Sequence, residues 1–328
     1  MAAPPPRRFA RLRRWGPWLV GLAIVLVIAT NVPFAKFRAS IGHGPHLALA
    51  TVELLITTLV LFTDSFSTWI GLRALRIRWG FPRVMAVRGA TYLLFLINYA
   101  LGQGGFGYYL YRAGEPALRA VGATLFLIGT NLATLLVLTF GVWAIADGRA
   151  TNPAMWWTLV LGMAAFAAYL VVIAVRPDWL ARRGVFAPLF DGGLGGHALA
   201  IAGRVPHVIA VVLAHWVAMR VWGIDVPFAA GAVLMPAVAL AAVMPISPAG
   251  LGTTQAAMLY FFRDYAPGAT ADDRAASLLA FAMVHFVYGV LAAVLVGLAC
   301  LPFAKRTGLL PAAGESDAPG PAAAAAAE

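Results

Sequence analysis

Charge is scarce in this chain. Only 11% of its 328 residues are Asp, Glu, Lys or Arg, against roughly 25% in soluble domains. The hydrophobic fraction is 62% and the mean hydropathy +0.83. So little polar surface cannot cover a water-facing sphere, which excludes an ordinary soluble globule. Acids are scarcer still, 13 against 24 bases, for a net charge of +11. In a soluble protein that excess would suggest nucleic acid. Here the bases flank apolar runs and form no basic helix or aromatic-basic module, so no nucleic-acid partner is expected. Anchoring beside anionic lipid is the better account. The single cysteine, Cys300, excludes a disulfide within the chain. Catalytic signatures are missing as well: no His-Glu-x-x-His, P-loop, Asp-rich prenyl-diphosphate motif or serine elbow occurs. No enzyme activity, catalytic residue, metal or cofactor is therefore expected.

What is present is a succession of apolar runs, each near the ~20 residues a membrane crossing needs. Residues 1–14 form a basic arm with Arg7, Arg8, Arg11, Arg13 and Arg14. Apolar runs follow at about 15–34, 47–72, 84–112, 116–146, 153–175, 204–222, 228–262 and 275–302. The first is long and further apolar segments follow it, which favours a span over a cleaved signal peptide. A polar, glycine-rich linker is expected over 176–203, with its 184–200 part on the membrane surface. Residues 307–328, rich in Ala and Pro, read as a disordered tail. The domain plan is thus a cytoplasmic arm (1–14), one transmembrane domain (15–306) and a tail (307–328).

Two runs are interrupted, one by Gly102-Gln103-Gly104-Gly105 and one by Pro245-Ile246-Ser247-Pro248-Ala249-Gly250-Leu251-Gly252. If each is two full spans, Lys and Arg divide 14 inside and 10 outside; if each is a re-entrant hairpin, the division is 18 to 6. The positive-inside rule prefers the hairpins. Length agrees, because a helix from Gly104 to Ala113 reaches only about 15 Å of a ~30 Å hydrocarbon core. The expected fold is therefore an all-α, polytopic integral membrane bundle. It has six full spans and two re-entrant helical hairpins, with the N-terminus cytoplasmic. The hairpins enter from opposite sides, and each carries a Gly-x-Gly turn, Gly105-Phe106-Gly107 and Gly250-Leu251-Gly252. Similar broken elements of opposite orientation mark an inverted repeat. Irregular backbone at that depth is tolerated only inside protein or beside a wet cavity; the alternative is that the glycines serve close helix packing.

Helices restarting after the turns aim their N-terminal N–H groups toward the membrane middle, where they attract anions such as a lipid phosphate. Ser247, Thr253 and Thr254 are candidate caps for the second. In the 47–72 run, Glu53 and Asp64 are eleven residues apart and project alike, with Thr57 and Thr68 on the same side. Intramembrane carboxylates face a cavity or a partner. Proton coupling or headgroup contact is one role; pairing with a bundle arginine such as Arg88 or Arg112 is the other. His207, His215 and His285, the last near Tyr288, are candidate proton relays or packing residues. Asn98, Gln103 and Gln255 fall in or beside the broken regions and offer hydrogen bonds to a polar headgroup.

The stretch Val243–Gln255, VMPISPAGLGTTQ, resembles the motif of the lysylphosphatidylglycerol synthase transmembrane (flippase-like) family: Pro-Ile-Ser, then Gly-x-Gly, then a short step to Glu. Pro245, Ile246, Ser247, Gly250, Leu251 and Gly252 match, and Gln255 stands where Glu is usual. Upstream, Asn98–Arg112 is similar to the family's first motif; Gly104, Gly107 and Arg112 match and Tyr108 falls at the Glu position. The resemblance implies a polytopic inner-membrane protein that moves phospholipids or other amphipathic lipids between leaflets. It also implies a stand-alone member without the synthase domain, of the kind associated with hopanoids or glycolipids.

Together these features lead to a lipid transporter with membrane lipids as its partners. Its expected binding residues are Gly105, Gly107, Arg112, Ser247, Gly250, Gly252, Thr254 and Gln255, with Glu53 and Asp64 for coupling. A non-transporting membrane partner of a lipid- or glycan-modifying enzyme is the alternative function. A second copy of the chain or such an enzyme is the protein partner left open.

Overall fold

The structure is a computed structural model that describes residues 33–95, 99–147, 152–243 and 251–309, with Arg149 and a few positions between 19 and 30. The described chain folds into helices joined by short turns, in keeping with the all-α expectation. They are α1 (Phe34–Gly42), α2 (His46–Ala74), α3 (Phe81–Phe95), α4 (Tyr99–Arg112), α5 (Ala117–Ile145) and α6 (Pro153–Val175). After these come α7 (Asp178–Ala181), α8 (Ala187–Val221), α9 (Phe228–Val243), α10 (Thr253–Phe262), a 3-10 turn at Arg263–Tyr265 and α11 (Ala271–Arg306). Among the described residues five helices are long and apolar enough to cross a membrane: α2, α5, α6, α8 and α11. Most of the expected first span, 15–34, falls outside the described residues.

Local chemistry sets several boundaries. Asn152 caps α6, its side-chain oxygen accepting from the Met155 N–H at 3.1 Å, with Pro153 in the first turn where no N–H is needed. Thr270 and Asp273 cap α11 reciprocally. Lys305 and Arg306 close it at the negative end of the helix dipole. The outward faces are as apolar as the interior. In α6 only Leu159 and Ile173 are buried, while Leu161 and Val175 are about 70% exposed (72% and 70%). A helix apolar on every side has no stable place at a water interface and belongs in lipid. The protein is a multi-pass membrane-embedded helical bundle.

Small residues let the helices approach. Gly89 of α3 lies directly against Cys300 of α11, and Gly297 of α11 against Leu93 of α3. Gly203 of α8 lies against Ile70 of α2, and Gly71 of α2 against Leu127 of α5. Without a hydrophobic drive between helices in lipid, this close approach supplies the van der Waals contact that holds them.

The packing pattern repeats. The order long, short, short, long occurs twice, as α2–α3–α4–α5 and as α8–α9–α10–α11, with α6 between. Within each set the first helix packs on the second, the second on the third and the third on the fourth. Across sets, α3 packs on α11 as α9 packs on α5, and α2 on α11 as α8 on α5. The helices α2 and α8 meet each other at the centre, antiparallel: Asp64 pairs with Arg204, and Thr63 with His207, while Glu53 lies level with His215. Two apolar cores flank that seam. One gathers Leu49, Met219, Trp222, Met258, Phe262 and Phe281; the other gathers Leu72, Val84, Phe106, Leu110, Phe126 and Ala200.

Three sequence expectations need correction. The turn expected at Gly102–Gly107 is helical: α4 runs through all of it. Gly102 and Gly105 serve instead to seat α4 against Phe95 and Leu94 of α3, and Gly107 seats it against Thr124 of α5. The linker expected over 176–203 is mostly helix, because α8 begins at Ala187. Its kink at Gly193, where φ is +55°, needs a residue without a Cβ. His197 and Ala200 beyond the kink are buried in the bundle rather than lying on a surface. Lastly, Arg88 and Arg204 are not loop charges for a topology tally; both are buried mid-bundle, 2% and 4% exposed.

The α5 contacts yield a stability test. A Cβ at Gly122 would collide with the backbone carbonyl of Val185, whereas one at Gly141 meets nothing. Gly122→Ala is expected to destabilise by about 1–3 kcal/mol, the usual range for overpacking. Gly141→Ala is expected to be neutral or to gain up to ~1 kcal/mol in helix propensity. Thermal unfolding of the two variants in detergent checks the contrast.

Candidate functional site

The charged side chains buried inside the bundle gather on the α2–α8 seam as two rungs, three helical turns apart. In the first, Asp64 of α2 sits between two arginines. Arg88 of α3 donates from Nε at 2.8 Å and from Nη2 at 2.5 Å to Oδ2, and Arg204 of α8 donates from Nη1 at 2.5 Å to Oδ1. Gln103 of α4, itself buried, accepts from Arg88 Nη1 at 3.1 Å. Asp64 is 4% exposed, and Arg88 also faces the rings of Phe95 and Phe106 at 5.5 Å. Two guanidiniums to one carboxylate leave the rung with one excess positive charge. No acid other than Glu53 and Asp64 lies in the middle of an apolar run, so no further carboxylate is at hand to balance it. One turn along the same face of α2, the Thr68 hydroxyl is buried without a hydrogen-bond partner among the described residues.

The second rung has a different chemistry. Glu53 Oε1 is 2.5 Å from His285 Nδ1 of α11, and the His285 ring meets His215 of α8 edge to face at 4.9 Å. His215 Nδ1 lies 2.8 Å from the Val211 carbonyl, so that nitrogen carries the proton. His46 at the start of α2 joins Tyr288 of α11, Nδ1 to OH, at 3.0 Å. Between the rungs, the Thr63 hydroxyl is 3.2 Å from His207 Nδ1.

Of the expected residues, Asp64 pairs with Arg88 as anticipated, and Arg112 does not join it in the hydrogen bonds to Asp64. Arg112 is half-buried in the last turn of α4. Gly105 and Gly107 stand at helix contacts, as described above. Ser247, Gly250 and Asn98 lie outside the described residues. Gly252 is the N-cap of α10 with φ +86°, so a turn does occur at the second motif. Gln255, buried at 1% exposure, turns its Oε1 back to accept the Gly252 N–H at 2.6 Å. That is the half of a capping box a Glu or Gln supplies, which gives the residue a structural task. Thr254 is half-buried on the same turn.

Arg204 was absent from the expected site. The signal was present: Arg204 and His215 are eleven residues apart on α8, as Glu53 and Asp64 are on α2. Matching spacings on two antiparallel helices are what a pair of rungs requires.

Two hollows lie away from the seam. One, of about 330 Å³, is lined by apolar side chains of α5, α6 and α9 with the Tyr169–His197 pair beside it. Tyr169 donates to His197 Nε2 at 2.6 Å while His197 Nδ1 meets the Gly193 carbonyl at 2.7 Å, so both rings are satisfied. The other, of about 480 Å³, lies at the α2–α3 turn and presents Arg73, Arg76 and Arg78. Among the described residues no three His, Cys, Asp or Glu side chains converge as metal ligands.

No protein-family model matches this chain, and no curated protein sequence matches it.

The asymmetry of the first rung is testable by stability. Asp64→Asn leaves two buried guanidiniums facing a neutral amide and should cost about 3–5 kcal/mol, as breaking a buried pair does. Arg204→Met leaves a matched Asp64–Arg88 pair and should cost much less. Comparison of Tm values in detergent decides; equal losses would show that the second arginine is as strongly required as the carboxylate.

Proposed function

We propose that this protein is a membrane lipid transporter that moves a phospholipid or another amphipathic lipid between leaflets. The observation that carries the proposal is the Arg88–Asp64–Arg204–Gln103 cluster, a polar and net positive centre buried where the two four-helix sets meet. Ion pairs inside a membrane domain are expensive, and a well-packed apolar seam would hold α2 and α8 together at lower cost. A passage that must accept an anionic or zwitterionic headgroup has a reason to keep such groups.

The architecture supports the same view. The two sets exchange packing partners, and their lead helices α2 and α8 run in opposite directions, as members of an inverted repeat would. On this proposal α3–α4 and α9–α10 are re-entrant pairs entering from opposite sides. The last leg, α10, has ten residues and reaches about 15 Å, short of a ~30 Å core. Including the 15–34 run, the chain then has six full spans with the N-terminus in the cytoplasm of a cell with an inner membrane. Thr254 and Gln255 belong to α10 of one pair, with Ser247 and Gly250 just before it in sequence; Gly105, Gly107 and Arg112 belong to α4 of the other. The resemblance to the lysylphosphatidylglycerol synthase transmembrane family points the same way, resting on those motifs. Alternating access would come from rocking the two sets about the α2–α8 seam.

Purified protein in liposomes carrying a headgroup-labelled reporter lipid provides the test. The expected result is several-fold faster loss of the outer-leaflet reporter's asymmetry than in protein-free vesicles. Arg204→Met, verified as folded, should slow that loss. Wild-type vesicles that behave as protein-free ones do would end the proposal.

A further inference from the structure

The two membrane carboxylates have partners of different kinds. Asp64 is clamped by guanidiniums, which keep their protons at every pH a cell meets. Its rung can hold helices or a ligand, but it has no proton to exchange. Glu53 faces an imidazole, the side chain whose charge changes near neutrality. We propose that the Glu53–His285 pair, with His215 behind it, is the proton-binding site that couples the two orientations of the transporter to a proton gradient. This proposal rests on the transport function above.

The geometry supplies what a carrier site needs. The pair is buried, Glu53 at 2% exposure, so its net charge matters. With one exchangeable proton the pair is neutral, whether written as carboxylate with imidazolium or carboxylic acid with imidazole. Without that proton it holds a bare carboxylate beside a neutral ring. A sealed, low-dielectric setting favours the neutral form, and contact with water permits the charged one. Opening the seam to one side therefore releases the proton to water there, and reopening to the other side takes one up. No bond other than N–H or O–H is made or broken.

The surroundings leave that proton free to move. Glu53 Oε2 faces Gly289 of α11, where even a Cβ would stand 3.7 Å away, so a side chain of α11 does not cover it at that point. His215 spends its Nδ1 proton on the Val211 carbonyl, which leaves Nε2 as an acceptor beside His285. One turn along α11 from His285, Tyr288 joins half-buried His46 at the mouth of α2. His46 lies about 10 Å in helical rise from Glu53, which places a titratable pair between the site and the membrane edge.

The other titratable groups on the packed elements are few. On α2, α8 and α11, His215, His46 and Tyr288 are the ones beside the pair or within two turns of it, while Asp64, Arg204 and His207 stand at the other rung and Asp273 pairs with Lys36 at the start of α11. Helix α9 has none, and on α10 only Tyr260 titrates, at an exposed position. Lys36 and Arg38 on α1 lie toward the start of α11, where Lys36 pairs with Asp273 at 2.7 Å. Among the described residues no arginine or lysine pairs with Glu53, in contrast to Asp64.

Two measurements separate this proposal from the transport function. Infrared difference spectra of the purified protein across pH steps should contain a titrating carboxyl band. That band should vanish in the near-isosteric Glu53→Gln and shift in His285→Gln, which also serves if Glu53→Gln does not fold. In liposomes with an imposed pH gradient, wild-type lipid movement should be several-fold faster than without it. Glu53→Gln should move lipid at one rate in both conditions. Lipid movement that ignores the gradient in the wild type, or a response that survives Glu53→Gln, overturns the proposal and leaves transport standing. A titrating band lost in Glu53→Gln, with no lipid movement by the wild type under either condition, overturns transport and the coupling with it.

Discussion

Everything in this bundle depends on one constraint: an ion inside a hydrocarbon layer must be neutralised by another part of the same protein. Asp64 meets that constraint by drawing Arg88 from α3 and Arg204 from α8 onto α2. Three helices are thereby fixed to a common register. A one-turn slip of α8 along α2 would separate Asp64 from Arg204 and Glu53 from the His215 level at once. Apolar contacts alone would not penalise such a slip heavily, since lipid tails are as good a partner for Leu as another Leu is. The polar seam thus chooses among packings that the apolar surfaces leave close in energy.

Around that seam, small residues decide how near the backbones come. Gly89 against Cys300, Gly203 against Ile70 and Gly71 against Leu127 bring α3, α11, α2, α8 and α5 together. The apolar cores then fill toward the two ends of the seam, each drawing residues from both α2 and α8. The two sets are held together beyond the seam as well, by α3 and α2 packed on α11 and by α8 and α9 packed on α5. The two rungs differ in charge: one carries an excess positive charge and the other sets a carboxylate against an imidazole.

The glycine motifs illustrate how one residue type carries several meanings. At Gly252 a positive φ and a helix start are present, and the backbone N–H is taken by Gln255. At Gly105 and Gly107 the same Gly-x-Gly spelling lies inside a helix, where the missing Cβ serves contact with α3 and α5. Nothing in the three letters distinguishes the cases. What differs is the neighbour: Pro245 and Pro248 precede the second motif and disfavour helix there, while the first is followed by the helix-compatible Tyr108-Tyr109-Leu110.

Composition and run length by themselves determined that this chain is helical and membrane-embedded, and they located most of its long helices. Those properties follow from solvation, which acts residue by residue. Carboxylate spacing on α2 likewise announced Glu53 and Asp64 as one face, because helical periodicity is local. The tertiary structure alone decided which base meets which acid. Arg88 and Arg204 lie 24 and 140 positions from Asp64, and His285 lies 232 from Glu53. Arg204 looked like the edge of a loop because hydropathy treats every arginine as a cost. Only a carboxylate brought alongside by folding turns that cost into an attraction. The extension of α8 back to Ala187, through a stretch that read as linker, has the same origin. Its glycines and polar residues are tolerated where α2 and α5 pack against it, which no local pattern records.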